Sequence, residues 1–383
     1  MPDPATTVAI VGVGESAQGE VPDRTALGLQ SDAMAAALAD AGLTGAEVDG
    51  VFCTGLPKYA ALQAAEYHGI SPSVIDSTEA GGASFPLFVA HAASAIAAGR
   101  CHTALIVYGS DQRSRRRRRL GGQVADDLPQ AQFEAPFHPL LPISAYALAA
   151  ARHRHAFGTT AEQLASIAVT TRDWARWNPV AFRRAPLTVD DVLASPVISS
   201  PIHREEVCLV TDGGGAVIVT SLERARSLRQ RPIAVLGHGE ATSHYTISQM
   251  PDLTTTAAVD SGRRAFAMAG LTPADVDVAQ LYDSFTITVL LALEDLGFCA
   301  KGEGGSFVED GRLGPGGALP TNTSGGGLAY THPGMLGVFL LIEAVRQLRG
   351  GLGERQVPDA EVALVHGVGG VLSAHATVLL APA

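Results

Sequence analysis

Cysteine is scarce in this sequence, which has four among its 383 residues. No two of them have the spacing of a CxxC motif. A disulfide framework or a structural zinc site needs more cysteines, or closer ones, so the sequence predicts neither. Reduced thiols and no bound metal are expected, as in a cytoplasmic protein. The four cysteines are Cys53, Cys101, Cys208 and Cys299.

Charged residues are also few, at 17% of the chain, and the formal net charge is -11. An acidic protein repels a phosphate backbone, which argues against nucleic acid as the main partner. Apolar residues make up 46% of the chain, a composition typical of a folded protein and not of a disordered one. The apolar runs are interrupted before they reach membrane-spanning length. The apolar stretch 7–13 lacks a basic flank, so we interpret it as a strand and not as a signal peptide.

Apolar strands alternate with Ala-rich helices through the first hundred residues. Gly42 follows the first helical stretch and is expected to end that helix. The alternation predicts a mainly parallel sheet that helices cover on both faces. The predicted elements are strands over 8–14, 51–53 and 104–109, and helices over 25–41 and 83–98.

A nine-residue segment occurs twice. Residues 41–49 read Ala-Gly-Leu-Thr-Gly-Ala-Glu-Val-Asp, and residues 269–277 read Ala-Gly-Leu-Thr-Pro-Ala-Asp-Val-Asp. A weaker echo pairs the Gly-rich stretch 81–84 with 324–327. One echo alone would fit a common helix-to-strand linker, but two in the same order favour a duplicated half-domain.

We therefore divide the chain into an N-terminal half, 1–230, and a C-terminal half, 231–383. A region of different character, about 111–200, interrupts the first half and includes two predicted helices. Insertions of this size often serve as lids or docking surfaces. The insertion also carries five consecutive arginines, Arg115–Arg119, which fit phosphate binding, an acidic partner or a solvated loop.

Three short motifs follow one another in the second half. Together with the duplicated halves, the insertion and the Gly-rich stretch after Cys208, they resemble the active-site motifs of the thiolase superfamily, in its sterol-carrier-protein-linked branch. The resemblance implies an α/β fold with two duplicated βαβ halves in a five-layered αβαβα arrangement, the insertion being the loop domain. It also implies a homodimer. The motifs are Tyr282-Asp283-Ser284-Phe285, Asn322-Thr323-Ser324-Gly325-Gly326 and Thr331-His332-Pro333.

The sequence departs from the thiolase pattern where that family does covalent chemistry. Thiolases place a nucleophilic cysteine at the N-terminus of a buried helix, and that position falls on Gly82. Ser84 is close by but lies about 200° around a helix from position 82, which makes it a poor replacement. The family's second cysteine falls on or near His366, whereas His332 keeps its usual identity. The resemblance thus implies a thioester site that forms no acyl-enzyme.

Tyr282 and Tyr330 make the sequence similar to the thiolase-like aldolases of bacterial steroid side-chain degradation. Those lyases split a 17-hydroxy steroid acyl-CoA into a 17-ketosteroid and propionyl-CoA, and they work with a small OB-fold partner of the DUF35 type. The resemblance implies retro-aldol cleavage by acid/base chemistry and a heterotetramer with such a partner. No separate cofactor is expected, because CoA is part of the substrate.

The same resemblance assigns roles to the site residues. Tyr282 is expected at the substrate hydroxyl and Tyr330 as the proton donor, or the two roles are exchanged. His332 and His366 are expected to polarise the thioester carbonyl, and Asp283 to orient its neighbours. The arginine run is a candidate for the CoA phosphates. Glycine-rich turns are expected to place backbone N–H groups against the acyl-CoA, at Gly82, Ser84, Gly325 and Gly326.

Two other functions fit the same residues. One is a non-catalytic subunit that binds acyl-CoA or holds an active partner. The other is a cysteine-free condensing or acyl-transfer enzyme of another pathway. Tyr282, Tyr330 and His366 each also fit a purely structural role. An enzyme is favoured because an inactive site has no need to keep so many polar side chains in its motifs.

Overall fold

A large sheet runs through the molecule in the computed structural model of the chain, which describes residues 8–116 and 126–383. Within these residues nine of the eleven strands join this sheet, and the other two form a separate hairpin. The strands are β1 (Val8–Glu15), β2 (Gly50–Cys53), β3 (Val74–Asp76), β4 (Thr103–Ser110), β5 (Val197–Ser199), β6 (Ile202–His203), β7 (Gly213–Ser221), β8 (Ile233–Thr242), β9 (Val278–Leu281), β10 (Ala363–Gly369) and β11 (Ala374–Pro382). The order in the sheet is β3-β2-β4-β7-β1-β8-β11-β10-β9.

Helices connect and cover these strands, and two of them match the helices predicted over 25–41 and 83–98. In the described ranges they are α1 (Ala26–Ala41), α2 (Ala60–His68), α3 (Ser84–Ala97), α4 (Pro129–Phe133), α5 (Ile143–Phe157), α6 (Ala161–Ala175), α7 (Val189–Ala194), α8 (Leu222–Ala225), α9 (Ala258–Ala269), α10 (Thr286–Asp295), α11 (Gly304–Phe307) and α12 (Gly337–Arg349). None of these helices has both the length and the apolar content needed to cross a membrane.

The sheet is mixed, so the expectation of a mainly parallel sheet is wrong. Of the eight strand pairings that the described residues form within this sheet, five are antiparallel and three are parallel. Parallel pairs occur where helical crossovers return the chain to the same edge, as between β2, β3 and β4. The insertion separates β4 from β7, and the chain re-enters in the opposite direction.

The order of the strands repeats in the two parts of the sheet. β2, β4, β7 and β1 lie in the same succession as β9, β10, β11 and β8. Thr321 bridges in parallel to Ala279 on β9, at the place that β3 takes beside β2. The two sets meet where β1 pairs with β8. A duplicated half-domain would give this arrangement, and the predicted boundary after residue 230 falls in the loop between α8 and β8.

The repeated nine-residue segment adopts one local structure in both places. Gly42 and Gly270 end α1 and α9 in the left-handed region, with φ of 72° and 67°, where a side chain would be strained. A capping box then opens a short 3₁₀ turn, Gly45–Glu47 in one copy and Pro273–Asp275 in the other. Each turn leads into a buried strand, β2 or β9. The sequence repeat is therefore a helix stop, a turn and a strand start.

Glycines on β1 and β8 allow the outer helices to approach closely. A Cβ added at Gly14 would lie 2.3 Å from the backbone nitrogen of Ala37 on α1. A Cβ at Gly239 would lie 2.2 Å from the carbonyl oxygen of Ser261 on α9. The helices α3 and α12 pack between the two halves of the sheet. The predicted layering of helix, sheet, helix, sheet and helix is confirmed.

The insertion is fastened to the C-terminal half by side-chain hydrogen bonds. The indole N–H of Trp174 donates to the carbonyl of Leu313 at 3.0 Å, and the side-chain amide of Asn178 donates to the carbonyl of Ser324 at 2.8 Å. The insertion therefore lies against the segment that leads to and carries the second motif. Of the predicted arginine run, Arg117–Arg119 lie outside the described residues.

We expect Gly239→Ala to destabilise the protein, because the new methyl group would collide with the α9 backbone. Overpacking of this kind costs about 1–3 kcal/mol, measured as the free energy of unfolding in urea. Gly45→Ala is the matched control, since a Cβ at Gly45 meets nothing within 4 Å. Equal stability of the two variants would contradict the close-packing interpretation.

Candidate active site

A small cavity of about 260 Å³ lies where the two halves and the insertion meet. Its walls come from the turn before α3, the ends of β9 and β10, the third motif and the first turn of α5. None of the described residues that line it is a carboxylate, a lysine or an arginine. The lining residues are Gly81, Gly82, Gln112, Pro142, Tyr146, Cys208, Tyr282, Ser284, Phe285, His332, Gly334, Val368, Gly369 and Gly370.

Gly82 and Tyr282 pack against each other in the wall of this cavity. A Cβ built at Gly82 would lie 1.9 Å from Cε2 of the Tyr282 ring and 2.5 Å from its Cζ. The ring therefore fills the space that a side chain at position 82 would need. The missing side chain at position 82 and the tyrosine at position 282 depend on each other, because both would occupy the same space.

The Tyr282 hydroxyl lies 2.9 Å from Nε2 of His332, and the two rings meet edge to face. Both side chains are about 95% buried. Burial, with Cys208 and Tyr146 close by, raises the pKa of Tyr282 well above its usual value near 10. The phenol is therefore protonated at neutral pH and suited to donate a hydrogen. The structure brings together two of the predicted site residues, Tyr282 and His332.

Asp283 lies behind the cavity and holds the backbone of a π-helical turn, Gly326–Tyr330. Its carboxyl group accepts hydrogen bonds from the N–H groups of Gly327, at 2.7 Å, and Leu328, at 3.2 Å. Burial raises the pKa of Asp283 to about 7 in spite of these bonds. This geometry fits the orienting role predicted for Asp283. A Cβ added at Gly325 would meet Ala175 and one at Gly326 would meet Asp283, and neither glycine lines the cavity.

Tyr330 does not face the cavity, although it is only two residues from His332. Its hydroxyl donates to Glu15 on β1 at 2.7 Å, and Glu15 in turn pairs with Arg346 at 2.6 Å. Burial and the Glu15 carboxylate raise the pKa of Tyr330 well above its usual value. The π-helical turn directs this side chain into the core beside Phe339, and its role as proton donor stays a prediction.

His366 is also directed away from the cavity. On β10 it lies opposite Thr377 of β11, and its Nδ1 lies 2.9 Å from the Thr377 hydroxyl. Its Nε2 lies 3.1 Å from Nδ1 of His375. Both ring nitrogens of His366 thus have partners within the protein, and its contact with a thioester carbonyl stays a prediction. Ser84 is likewise used locally, since its hydroxyl accepts from the N–H of Ala80 at 2.8 Å.

The hydrogen-bond chain through the two histidines fixes their protonation. His375 Nε2 lies 3.2 Å from the carbonyl of Leu372, which can only accept, so this nitrogen carries a hydrogen. His375 Nδ1 then accepts from His366 Nε2, and His366 Nδ1 accepts from Thr377. Both rings are neutral, and burial lowers the pKa of His366 well below 6.5 and that of His375 to about 4. This chain of hydrogen bonds ends at Leu372, in the turn that follows the cavity residue Gly370.

Tyr146, Cys208 and Gln112 line the cavity but are not among the site residues predicted from the sequence. Tyr146 comes from α5 of the insertion, stacks on Phe285 at 4.3 Å between ring centroids, and donates to the carbonyl of Gly370 at 3.2 Å. No motif surrounds it, so its place follows only from the packing of the insertion. Within residues 8–116 and 126–383 no group of three His, Cys, Asp or Glu side chains is placed to hold a metal ion.

Comparison with known proteins places this site in a family. A family model described as Thiolase C-terminal domain-like matches residues 239–382. A relative from Methanothermobacter thermautotrophicus, named acetyl-CoA acetyltransferase, is 33% identical over 95% of this chain and 96% of its own length. A relative from Mycobacterium tuberculosis, named 17-hydroxy-3-oxo-4-pregnene-20-carboxyl-CoA lyase, is 36% identical over 89% of this chain and 91% of its own length.

A solved structure resembles the whole chain. It is named Ltp2-ChsH2(DUF35) aldolase and superposes with a TM-score of 0.90 at 32% sequence identity. The superposition covers 99% of this chain and 99% of the other. The resemblance thus includes the insertion as well as the two halves of the sheet.

We expect Gly82→Ala to destabilise the protein by about 1–3 kcal/mol, because the methyl group would overlap the Tyr282 ring. In a Tyr282→Ala background the same change should cost much less, since the ring is gone. A double-mutant cycle of urea unfolding free energies measures this coupling. Additive costs in the double variant would contradict the proposed packing of position 82 against the ring.

The buried neutral histidines His366 and His375 should make the free energy of unfolding fall at acidic pH. The pKa of His375 is lower in the native state than in the unfolded chain, so the unfolded state binds more protons between about pH 6.5 and pH 4. Stability present above pH 6.5 is lost as the pH falls through this window. Between pH 7.5 and pH 5 we expect a loss of about 2 kcal/mol from His375 alone, measured by urea unfolding.

His375→Gln should reduce this acid dependence, and His155→Gln, at an exposed histidine on α5, should leave it unchanged. An acid dependence equal in His375→Gln and in the wild type would show that other groups carry the effect.

Proposed function

Because the chain belongs to the thiolase superfamily, in its sterol-carrier-protein-type branch, we propose that it is a lyase that cleaves a steroid acyl-CoA by a retro-aldol reaction. The observation that carries this proposal is the Tyr282 phenol, which stands in the place of the thiolase nucleophile and contacts His332. The substrate would be a 17-hydroxy steroid acyl-CoA, and the products a 17-ketosteroid and propionyl-CoA.

The chemistry needs one proton to leave the substrate hydroxyl and one to arrive at the α-carbon. As the bond between C17 and the α-carbon breaks, its electron pair becomes the enolate of the thioester and the hydroxyl becomes the ketone. Tyr282 takes the hydroxyl proton while its own proton passes to His332 Nε2. His332 then gives this proton to the α-carbon, which completes propionyl-CoA. Tyr282 and His332 are thereby restored to their starting protonation states. Since Tyr330 lies away from the cavity, Tyr282 and His332 carry both transfers.

A basic groove next to the cavity supports an acyl-CoA as the substrate. The groove has a volume of about 800 Å³ and shares Gln112 and Cys208 with the cavity. Its described lining includes four arginines and a single carboxylate, that of Glu20. Arginine binds phosphate groups through paired N–H donors, so the groove suits the phosphates of CoA. The four arginines are Arg113, Arg116, Arg183 and Arg204.

We further propose that the chain forms a homodimer that binds two copies of a small OB-fold protein of the DUF35 type. The similar structure named Ltp2-ChsH2(DUF35) aldolase supports such a partner. We propose the cytoplasm as the place of the reaction, in keeping with the four cysteines, which are not in disulfides.

Acyl transfer is a second candidate function, and one observation favours it. Cys208 lines the same cavity as Tyr282, and a thiol there is a nucleophile that sequence reasoning did not consider. Acyl transfer through Cys208 would form a thioester on the protein, which the aldolase reaction does not need.

We expect Tyr282→Phe to lower kcat for release of propionyl-CoA from a 17-hydroxy steroid acyl-CoA by about 10²–10⁴-fold. The ring still fills the space at Gly82, so the fold and KM should change little. The measurement is steady-state turnover by the full chain together with its DUF35-type partner, with both products followed by chromatography.

Tyr330→Phe is the matched control, because its hydroxyl contacts Glu15 and not the cavity. It should keep kcat within about tenfold, well short of the loss that a general acid or base shows. Cys208→Ala tests the second candidate. If turnover disappears in Cys208→Ala and survives in Tyr282→Phe, the aldolase proposal is wrong and acyl transfer is favoured.

A further inference from the structure

Gln112 lies at the passage between the cavity and the basic groove. Of the described residues, only Gln112 and Cys208 line both. An acyl-CoA with its phosphates in the groove and its reacting carbons in the cavity has its thioester between them, because the thioester joins the acyl group to CoA. Gln112 therefore lies where the thioester passes. The residue is half-buried, so a ligand can reach its side chain.

The thioester oxygen needs a hydrogen-bond donor when the carbon–carbon bond breaks. The electron pair of that bond moves into the thioester, whose oxygen becomes the negatively charged oxygen of an enolate. In the proposed reaction Nε2 of His332 is engaged with the Tyr282 hydroxyl. His366 does not line the cavity, and both of its ring nitrogens have partners in the protein. The enolate oxygen therefore calls for a different donor.

Gln112 offers the donor that this step needs. Among the described residues that line the cavity, only Gln112 and His332 have N–H groups on their side chains. The hydroxyls of Tyr146 and Ser284 already have partners in the protein. Cys208 shares the passage with Gln112, but a thiol is only a weak donor. The amide of Gln112 is thus the strongest side-chain donor at the passage.

The orientation of the Gln112 amide follows from its contact with His332. Nε2 of Gln112 lies 3.1 Å from the carbonyl oxygen of His332. A carbonyl oxygen only accepts, so the amide atom that faces it is the nitrogen with its hydrogens. An amide nitrogen has two hydrogens, and this contact uses one of them. The second hydrogen can donate to a ligand.

Gln112 is not needed to hold the backbone of His332 in place. The N–H of His332 donates to the Thr211 hydroxyl at 2.9 Å. The carbonyl of His332 accepts from the N–H of Thr211 at 3.3 Å. These two bonds fasten His332 on both sides of its Cα atom, and the carbonyl keeps a donor when the Gln112 amide is removed. An effect of Gln112 on the reaction therefore comes from its contact with the substrate.

We propose that the side-chain amide of Gln112 donates a hydrogen bond to the thioester oxygen and stabilises the enolate, which makes Gln112 a catalytic residue. The inference rests on the proposed function and adds a third residue to Tyr282 and His332. The negative charge on the oxygen develops only as the carbon–carbon bond breaks. The hydrogen bond is therefore stronger in the transition state than in the bound substrate, and it acts on kcat more than on KM.

The first test replaces Gln112 by methionine, which keeps the length of the side chain but has no donor. The measurement is turnover of a 17-hydroxy steroid acyl-CoA by the full chain together with its DUF35-type partner. We expect Gln112→Met to lower kcat by about 10²–10³-fold and to change KM little. Urea unfolding should show that its stability is close to that of the wild type.

Gln132→Met is the matched control, at an exposed glutamine that lines neither the cavity nor the groove. It should keep the kcat of the wild type. If Gln112→Met also keeps that kcat, or raises only KM, the inference is wrong while the retro-aldol function stands.

A second measurement does not depend on steroid cleavage, because it uses propionyl-CoA alone in D₂O. Nε2 of His332 takes a proton from the α-carbon and leaves the same enolate. After this proton has exchanged with the solvent, a deuteron returns to the α-carbon, and mass spectrometry measures the label. We expect Gln112→Met to slow the labelling by about 10²–10³-fold.

If the wild type cleaves no steroid acyl-CoA, the proposed function fails, and the labelling of propionyl-CoA decides the inference separately. Labelling by the wild type that Gln112→Met slows, and Gln132→Met does not, supports the role of Gln112. Labelling that is equal in the wild type and Gln112→Met, or absent from the wild type, overturns it.

Discussion

The contact between the Tyr282 ring and Gly82 is the constraint on which the rest of the site depends. The ring fits only because position 82 has no side chain, since a Cβ there would lie 1.9 Å from it. In this position the phenol points at His332 and stands where thiolases hold a thiol. A side chain at position 82 would collide with the Tyr282 ring, and a smaller residue at position 282 would leave a void beside Gly82. The two residues therefore form one packing unit. In the proposed reaction, proton transfer by Tyr282 replaces covalent catalysis.

Most other polar residues near the cavity hold the backbone in place and do not face the substrate. Asp283 fixes the π-helical turn, and the carbonyl of His366 accepts from the N–H of Tyr282 at 3.0 Å. Tyr330 joins that turn to Glu15 on β1. Asp283, His366 and Tyr330 can be buried at little net cost because each has hydrogen-bond partners within the protein.

The architecture brings distant parts of the chain to one point. The two halves of the sheet repeat the same strand order, so β9 and β10 deliver their loops beside the turn that opens α3. The insertion closes the site from a third direction with α5.

The sequence by itself determined the helices and strands, the internal repeat and the order of the motifs, because these depend on local periodicity, glycine caps and short-range spacing. It also identified Gly82, Tyr282, His332 and Asp283. Only the tertiary structure decided the mixed strand directions, the burial of Tyr330 and His366, and the arrival of Tyr146 and Cys208 at the cavity. Motif position says which loop a residue occupies, but the direction of its side chain depends on cross-strand and interlayer neighbours that are far away in the sequence.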